Sequence, residues 1–366
     1  CSFLVTRSVA ASPLQLPADD ELQRRVGALL RHVHDLGVVP QDLHAGNLLV
    51  GSDGELHLCD LSSLRHGGTA DLRARANGLA ILCGGLGDAG SALPGGPLDP
   101  SLHALRAGYA AAGTPLPAAF LHELRLAAQR WRRAALQSFG RRALRPCRHT
   151  EVGRKRRGTA WWFWHLGPDA AGAELRAKLT AAADGGGELL RDGRRGRVER
   201  HAGFVVKERD AAAARRLWQA LYLLQFAAVP TPAPLALRLH RGRGQVFCRR
   251  VPNVTLAEEL AGGTPAPGDV QRVARALGVT VGRLHGHGLR NRDLKFENLI
   301  RDPDTGAVLV VDLDGVRQKA PDDERGLGAD LGRLLAAFRA AGEPGGAVAA
   351  RAFVRSYART LRQLLA

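Results

Sequence analysis

The sequence predicts an α+β fold in which two related units follow one another. Three observations lead there. Short β-branched or leucine-rich runs are interspersed with longer stretches whose apolar residues recur every three or four positions, the respective marks of strands and amphipathic helices. One stretch, His285 to Gly315 (HGHGLRNRDLKFENLIRDPDTGAVLVVDLDG), gathers carboxylates and amides into a loop that runs into a hairpin. That stretch also occurs twice. Asp42 and Asn47 precede Asp293 and Asn298 by the same 251 positions, and so do His34 and Gly37 relative to His285 and Gly288. Asp60 precedes Asp312 by 252, the second hairpin being one residue longer. A period this long signals duplicated domains rather than a solenoid.

Taken in order, residues 1–16 begin with an apolar, β-like run. From Asp19, Leu22, Val26, Leu29, Leu30 and Val33 fall on one helical face that closes at Gly37. The first loop follows, with a turn at Ser52-Asp53-Gly54 and a returning strand that delivers Asp60. Residues 71–145 read as helical, broken by a Gly/Pro-rich loop from Gly84 to Pro100, with a helix expected over Ala118–Leu144. A second unit begins near Pro146. Glu151–Arg157 reads as a basic turn, Thr159–His165 as a strand with core tryptophans, and Pro168–Ala183 as a helix. Two strands around a glycine turn are expected over Glu188–Val198, then a strand ending at Lys207, a helix over Asp210–Ala227, and a strand over Gln245–Val251. A helix over Asp269–His285 returns to the second loop, and closing helices begin near Asp330.

The loop spacing suits phosphoryl transfer from a nucleotide. One carboxylate orients the acceptor hydroxyl, while an amide oxygen and a second carboxylate hold magnesium against the phosphates. Leu299-Ile300 and Val308–Val311 flank Asp302-Pro303-Asp304-Thr305-Gly306, turn chemistry that folds Asp312 back toward Asp293 and Asn298. The bland alternative, a charged surface loop, does not account for the same spacing appearing twice.

RDLKFEN and VDLDG resemble the catalytic loop and metal-binding segment of the protein-kinase-like superfamily. Leu313 after Asp312, and the run VPTPAPLA from Val229, are similar to the bacterial lipopolysaccharide kinases, which phosphorylate Kdo or heptose of the lipopolysaccharide core. The resemblance implies a bilobal fold, with a small β-rich N-lobe over about 147–247 and a helical C-lobe over about 252–366. A truncated second kinase-like C-lobe, residues 1–146, precedes it. It implies ATP and Mg2+ as cofactors. Asp293 would receive or orient the hydroxyl proton, and Lys295 would offset charge on the transferred phosphoryl. Asn298 and Asp312, with Asp314 as a second acid, would hold the metal, and Lys207 would contact the α- and β-phosphates. Gly193 and Gly196 would let backbone N–H groups approach a phosphate, a plain hairpin turn being the alternative there. Arg249 lies on the strand expected to pair with adenine. In the first copy, Asp42 is the catalytic equivalent and Asn47 and Asp60 the metal equivalents, with His44 at the lysine position. Lacking an N-lobe, that copy is not expected to turn over.

Several positions depart from the family pattern. The helix after Lys207 carries no Asp or Glu between Ala211 and Ala227, leaving Gln219 or Gln225 as weak substitutes for the usual glutamate partner. Asn291 stands where a histidine is usual, and no APE motif follows Asp312. The short Val316–Asp330 segment favours a small or glycolipid acceptor over a peptide. Asp330 is a candidate anchor for the catalytic loop.

The chain has 366 residues and a net charge of +17, with hydrophobic content of 45% and aromatic content of 5%. Its charge points to anionic partners: a nucleotide, and an anionic glycolipid or other hydroxyl acceptor at a membrane surface. Nucleic acid is disfavoured because aromatic and basic residues do not interleave. No run approaches the ~18 apolar residues of a membrane span. Five scattered cysteines without a CxxC pair argue against a disulfide framework or zinc. A cytoplasmic protein, peripheral to the inner membrane, is expected. The start at Cys1 suggests a fragment. Serine/threonine protein kinase and nucleotide-binding pseudokinase are the competing readings.

Overall fold

A computed structural model describes residues 10–14, 19–41, 43–60, 64–66, 70–85, 102–147, 149–154, 160–166, 172–194, 196–252, 254–261, 267–318, 324–340 and 345–365. The expected β-like run at 1–9 and the Gly/Pro-rich loop from 86 to 100 lie outside the described residues. Two compact units divide the chain: Cys1–Ala134 with Gln363–Ala366, and Ala135–Arg362.

The first unit holds β1 (Ala11–Pro13), α1 (Asp20–Asp35), β2 (Val38–Pro40), β3 (Leu48–Gly51), β4 (Leu56–Leu58), β5 (Leu64–His66), α2 (Leu72–Gly85) and α3 (His103–Ala111). The division falls within α4 (Ala119–Arg142), ahead of the boundary expected at residue 146. Asp19 caps α1 by accepting the Leu22 N–H at 2.7 Å. Gly37 ends it at φ 75°, a left-handed turn that glycine adopts without strain. Glycines also let α1 and α3 touch backbone to backbone. A Cβ at Gly27 would lie 2.1 Å from the Leu105 carbonyl oxygen, and one at Gly108 2.0 Å from that of Arg24. Strands β1, β3 and β4 form one antiparallel sheet, and β2 pairs with β5. Val26, Leu30, Leu43, Leu48 and Tyr109 fill the core.

The second unit opens with β6 (Thr150–Arg154), β7 (Trp161–His165), α5 (Ala173–Ala182), β8 (Glu188–Arg191), β9 (Arg197–Arg200), β10 (Phe204–Asp210), α6 (Ala211–Phe226), β11 (Pro234–His240) and β12 (Arg243–Arg249). Its seven strands make one antiparallel sheet in the order β6-β7-β11-β12-β10-β9-β8. The expected basic turn at 151–157 is therefore corrected over residues 151–154, which pair along β7 as the edge strand β6. Along β7, Trp162 and Trp164, stacked at 4.7 Å, are buried on one face and Phe163 on the other, while Trp161 at the strand's start is exposed. Helix α6, capped by Asp210 through the Ala213 N–H, packs its leucines and Trp218 across the sheet.

Helices then dominate: α7 (Leu256–Ala261), α8 (Pro267–Gly286), α9 (Glu324–Ala340) and α10 (Gly345–Leu365). Between α8 and α9 run four short strands, β13 (Leu289–Asn291), β14 (Leu299–Arg301), β15 (Val308–Val310) and β16 (Val316–Gln318). They pair as β13 with β16 and β14 with β15. Gly288 ends α8 at φ 68°. Helix α9 starts at Glu324, so Asp330 sits in its second turn rather than at its start. Both units are α+β. No helix among the described residues is long and apolar enough to cross a membrane.

Candidate functional site

One hairpin, one strand pair and one amide assemble the site. The β14–β15 hairpin forms where Asp302 accepts the N–H groups of Asp304 and Thr305 at 2.9 and 3.0 Å, closing the turn. Beyond it the Val311 N–H donates to the Asn298 carbonyl at 3.1 Å, which sets Asp312 beside the end of the loop. The β13–β16 pair holds the other side, with the Arg292 N–H donating to the Gly315 carbonyl at 3.2 Å.

Asn291, fully buried, joins the two sides. Its Nδ2 donates to the Asp312 carbonyl at 2.7 Å and its Oδ1 accepts the Asp293 N–H at 3.1 Å. One side chain thus fixes the main chain of both acids. Gly315 makes room for it, since a Cβ there would lie 2.3 Å from Asn291 Oδ1. Sequence reading saw Asn291 only as a departure from histidine and missed this bridge.

The expected residues gather here. Asn298 Nδ2 donates to the Asp293 carbonyl at 2.9 Å and to its carboxylate at 3.0 Å, leaving Oδ1 as the remaining acceptor of that amide. Lys295 Nζ lies 3.5 Å from Asp293 Oδ1, both side chains being half exposed. From the sheet, Lys207 Nζ donates to the Val311 carbonyl at 2.8 Å, one residue before Asp312. The Asp314 N–H donates to Asp312 Oδ1 at 3.4 Å, and Arg209 pairs with the Asp314 carboxylate at 3.3 Å. Asp314 is thus tied to an arginine that the sequence did not single out.

A cavity of about 440 Å3 opens beside Lys207 and Asp312, and Asp293, Lys295 and Asn298 are not among the described residues that line it. Lys207, Arg249 and Asp312 line it, with an apolar wall that includes Val198, Val205, Leu221, Ile300 and Leu313. Cys248 also faces it; burial pushes its thiol up to about 11, so it stays neutral. Neither glycine of the β8–β9 turn lines this cavity. Gly193 has open space around it. Gly196, at φ 120°, gives its N–H to the Gly193 carbonyl at 2.8 Å, and a Cβ there would sit 2.0 Å from the Glu208 carbonyl. Gly196 therefore serves the hairpin turn.

Helix α6 offers Lys207 no acid. Gln219 donates to the Gly140 carbonyl at 3.0 Å instead, while Glu208 pairs with Arg243. Asp330 is fully buried. It takes a bidentate pair from Arg290 at 2.9 and 3.0 Å and also pairs with Arg333, with His285 Nε2 3.4 Å away. Burial pushes its pKa up, but the hydrogen bonds from His285 and Arg290 prevail and hold it below the usual carboxylate range. Asp330 thus anchors the strand that leads into the loop through a side chain rather than through the loop backbone.

In the first unit Asp42 lies outside the described residues. Asn47 is buried and Asp60 exposed at φ 57°, with the Cys59 N–H donating to the Asn47 carbonyl at 2.9 Å.

Among the described residues no three His, Cys, Asp or Glu side chains converge as a metal cluster. The expected pair is one carboxylate, Asp312, and one amide oxygen, Asn298, and magnesium, which keeps water and phosphate oxygens in its shell, needs only one or two protein carboxylates. No model of a known protein family matches the chain, and no curated protein matches its sequence.

Proposed function

We propose that the second unit is a protein-kinase-like domain of the lipopolysaccharide-kinase type, transferring the γ-phosphoryl group of ATP to a sugar hydroxyl of Kdo or heptose in an anionic glycolipid. The observation that carries this reading is the Asn291 bridge. It ties the main chain of Asp293 to that of Asp312, a cavity-lining residue, with Lys207 bonded beside Asp312 and Asn298 bonded to Asp293.

In this reading the apolar wall takes the adenine, and Lys207 exchanges its Val311 carbonyl for the α- and β-phosphates. Asp293 orients the acceptor hydroxyl. As the acceptor oxygen bonds to the γ-phosphorus, the bond from phosphorus to the bridging oxygen breaks, ADP leaves, and Asp293 takes the hydroxyl proton. The transition state is loose, so positioning matters more than base strength. Lys295 offsets charge on the moving phosphoryl. Magnesium, held by Asn298 and Asp312, would supply neutralisation of the phosphate oxygens. The net charge of +17 suits an anionic acceptor surface.

Nucleotide binding without turnover is the second reading. It draws on one observation: the ammonium of Lys207 is bonded to a backbone carbonyl, and no acid of α6 holds it. Incubation with γ-labelled ATP and Kdo-lipid A, beside a generic protein substrate, separates the readings. Label on the glycolipid is expected. Label on the protein substrate alone would point to a protein kinase, and nucleotide binding with no label on either to the second reading.

A further inference from the structure

A second cavity, of about 360 Å3, adjoins the first and shares Arg209, Leu217 and Leu313 with it. Five arginines line it, Arg194, Arg209, Arg216, Arg243 and Arg317, against two acids, Asp210 and Asp314. Both acids already have partners. Asp210 accepts the Ala213 N–H at 2.8 Å as the cap of α6, and Asp314 pairs with Arg209. Arg243 is neutralised by Glu208 at 2.6 Å. Arg194 and Arg216 make no ion pair with any described residue, although the Arg216 charge acts through space on the Asp210 carboxylate, and the lining keeps an excess of positive charge.

Arg209 is the second, independent observation. Its side chain is only 8% exposed. Nη1 donates to the Glu208 carbonyl at 2.9 Å, yet among the described residues the buried Nε has no acceptor. A buried guanidinium donor left without an acceptor is costly, and Arg209 lines both cavities.

We propose that this cavity is an anion site that takes a phosphomonoester, adjoining the proposed nucleotide cleft but distinguished from it by Arg194, Arg216, Arg243 and Arg317. Guanidinium forks match the planar array of phosphate oxygens and bind them bidentately. The positive charges converge on one concavity, not along a stripe, and among the described residues no aromatic side chain lines it, so a small phosphate fits better than a nucleic-acid strand. The volume exceeds that of inorganic phosphate and admits a sugar phosphate. A soluble sugar phosphate and a phosphomonoester lipid headgroup share this chemistry. The site stands whether or not the neighbouring cleft transfers phosphate.

Isothermal titration of the full chain with glucose 1-phosphate, and co-sedimentation with phosphatidylcholine vesicles containing phosphatidic acid, test it. Binding to at least one probe is expected, and Arg194→Ala and Arg216→Ala should each weaken it by about tenfold. Arg351→Ala removes a charge elsewhere on the same unit and should leave binding unchanged. Lys207→Ala should weaken ATP binding and spare the phosphomonoester. Response to the soluble probe would identify a small molecule as the ligand, and response to vesicles alone a lipid headgroup. No binding to either probe, binding indifferent to Arg194 and Arg216, equal loss with Arg351→Ala, or loss with Lys207→Ala would overturn the assignment.

Discussion

The two copies of the loop share a skeleton and differ in what is hung on it. Each places a histidine near the end of a helix against a tyrosine of a later one: His34 Nδ1 lies 2.8 Å from the Tyr109 hydroxyl, and His285 Nδ1 3.1 Å from that of Tyr357. Each crosses those helices at a glycine, Gly27 under Leu105 and Gly278 under Phe353. Each buries the leucines on either side of its asparagine, Leu43 and Leu48 in one, Leu294 and Leu299 in the other. The chemistry diverges around these fixed points. Where Asn291 bridges two acids the first copy has Pro40, which has neither a side-chain amide nor an N–H. Where Arg290 grips the buried Asp330 it has Val39, which has no charge to offer. The comparison teaches that scaffold and site are separable. Helix crossings and hairpins persist without the bridge that aligns the acids.

The comparison breaks most sharply at Asp293. If the second copy alone turns over, Asp293→Asn should lower the rate by ~10³-fold. Steady-state transfer assays read this, and residual turnover near that of the parent chain would place the activity elsewhere.

The shared skeleton can be tested next. Gly27→Ala should destabilise its unit by about 3 kcal/mol, because the new methyl meets a carbonyl at 2.1 Å. Gly278→Ala should cost less, since the nearest carbonyl is 2.7 Å away. Chemical denaturation of the full chain measures both. Equal and negligible losses would mean that the helix crossings are not held by close packing.

The buried histidine sharpens the comparison through pH. Burial first, and then the Arg75 guanidinium, pull His34 down from 6.5 to about 4. The unfolded chain therefore binds a proton between pH 6.5 and 4 that the folded chain refuses. This contribution is fully present above pH 6.5 and is lost as pH falls toward 4, amounting to about 3 kcal/mol. Imidazole NMR of the full chain should show one ring neutral down to about pH 4; a His34 that titrates near 6.5 would remove the effect.

The smallest expected effect concerns the bridge itself. Asn291→Ala strands a buried carbonyl and an N–H, so a stability loss of about 2 kcal/mol is expected together with slower transfer. Unchanged transfer kinetics would show that the acids align without it.

Much of this arrangement was legible because local chemistry sets it. Turn residues 302–306 between β-branched runs fold the hairpin, and the 251-position offset exposed the duplication. The strand that carries Lys207 and the helix after it follow from alternation and from the Asp210 cap, though the strand runs on to Asp210, past the end expected at Lys207. What stayed hidden depends on approach in space. Asn291 meets Asp312 across 21 positions and Arg209 meets Asp314 across 105, and neither spacing leaves a periodic trace. Strand β6 was masked by its charged residues, which suit an edge strand as well as a turn. Gly196 carried two readings, and only its contact with the Glu208 carbonyl assigns it to the turn.

Magnesium-dependent ATP binding by the full chain tests the central claim most directly, because it asks whether one cleft holds both nucleotide and metal. Calorimetric titration should show tight binding with magnesium, weakened by Lys207→Ala, and with its magnesium dependence abolished when Asn298→Ala and Asp312→Asn are combined. Binding that ignores all three substitutions, or no binding at all, would contradict the account.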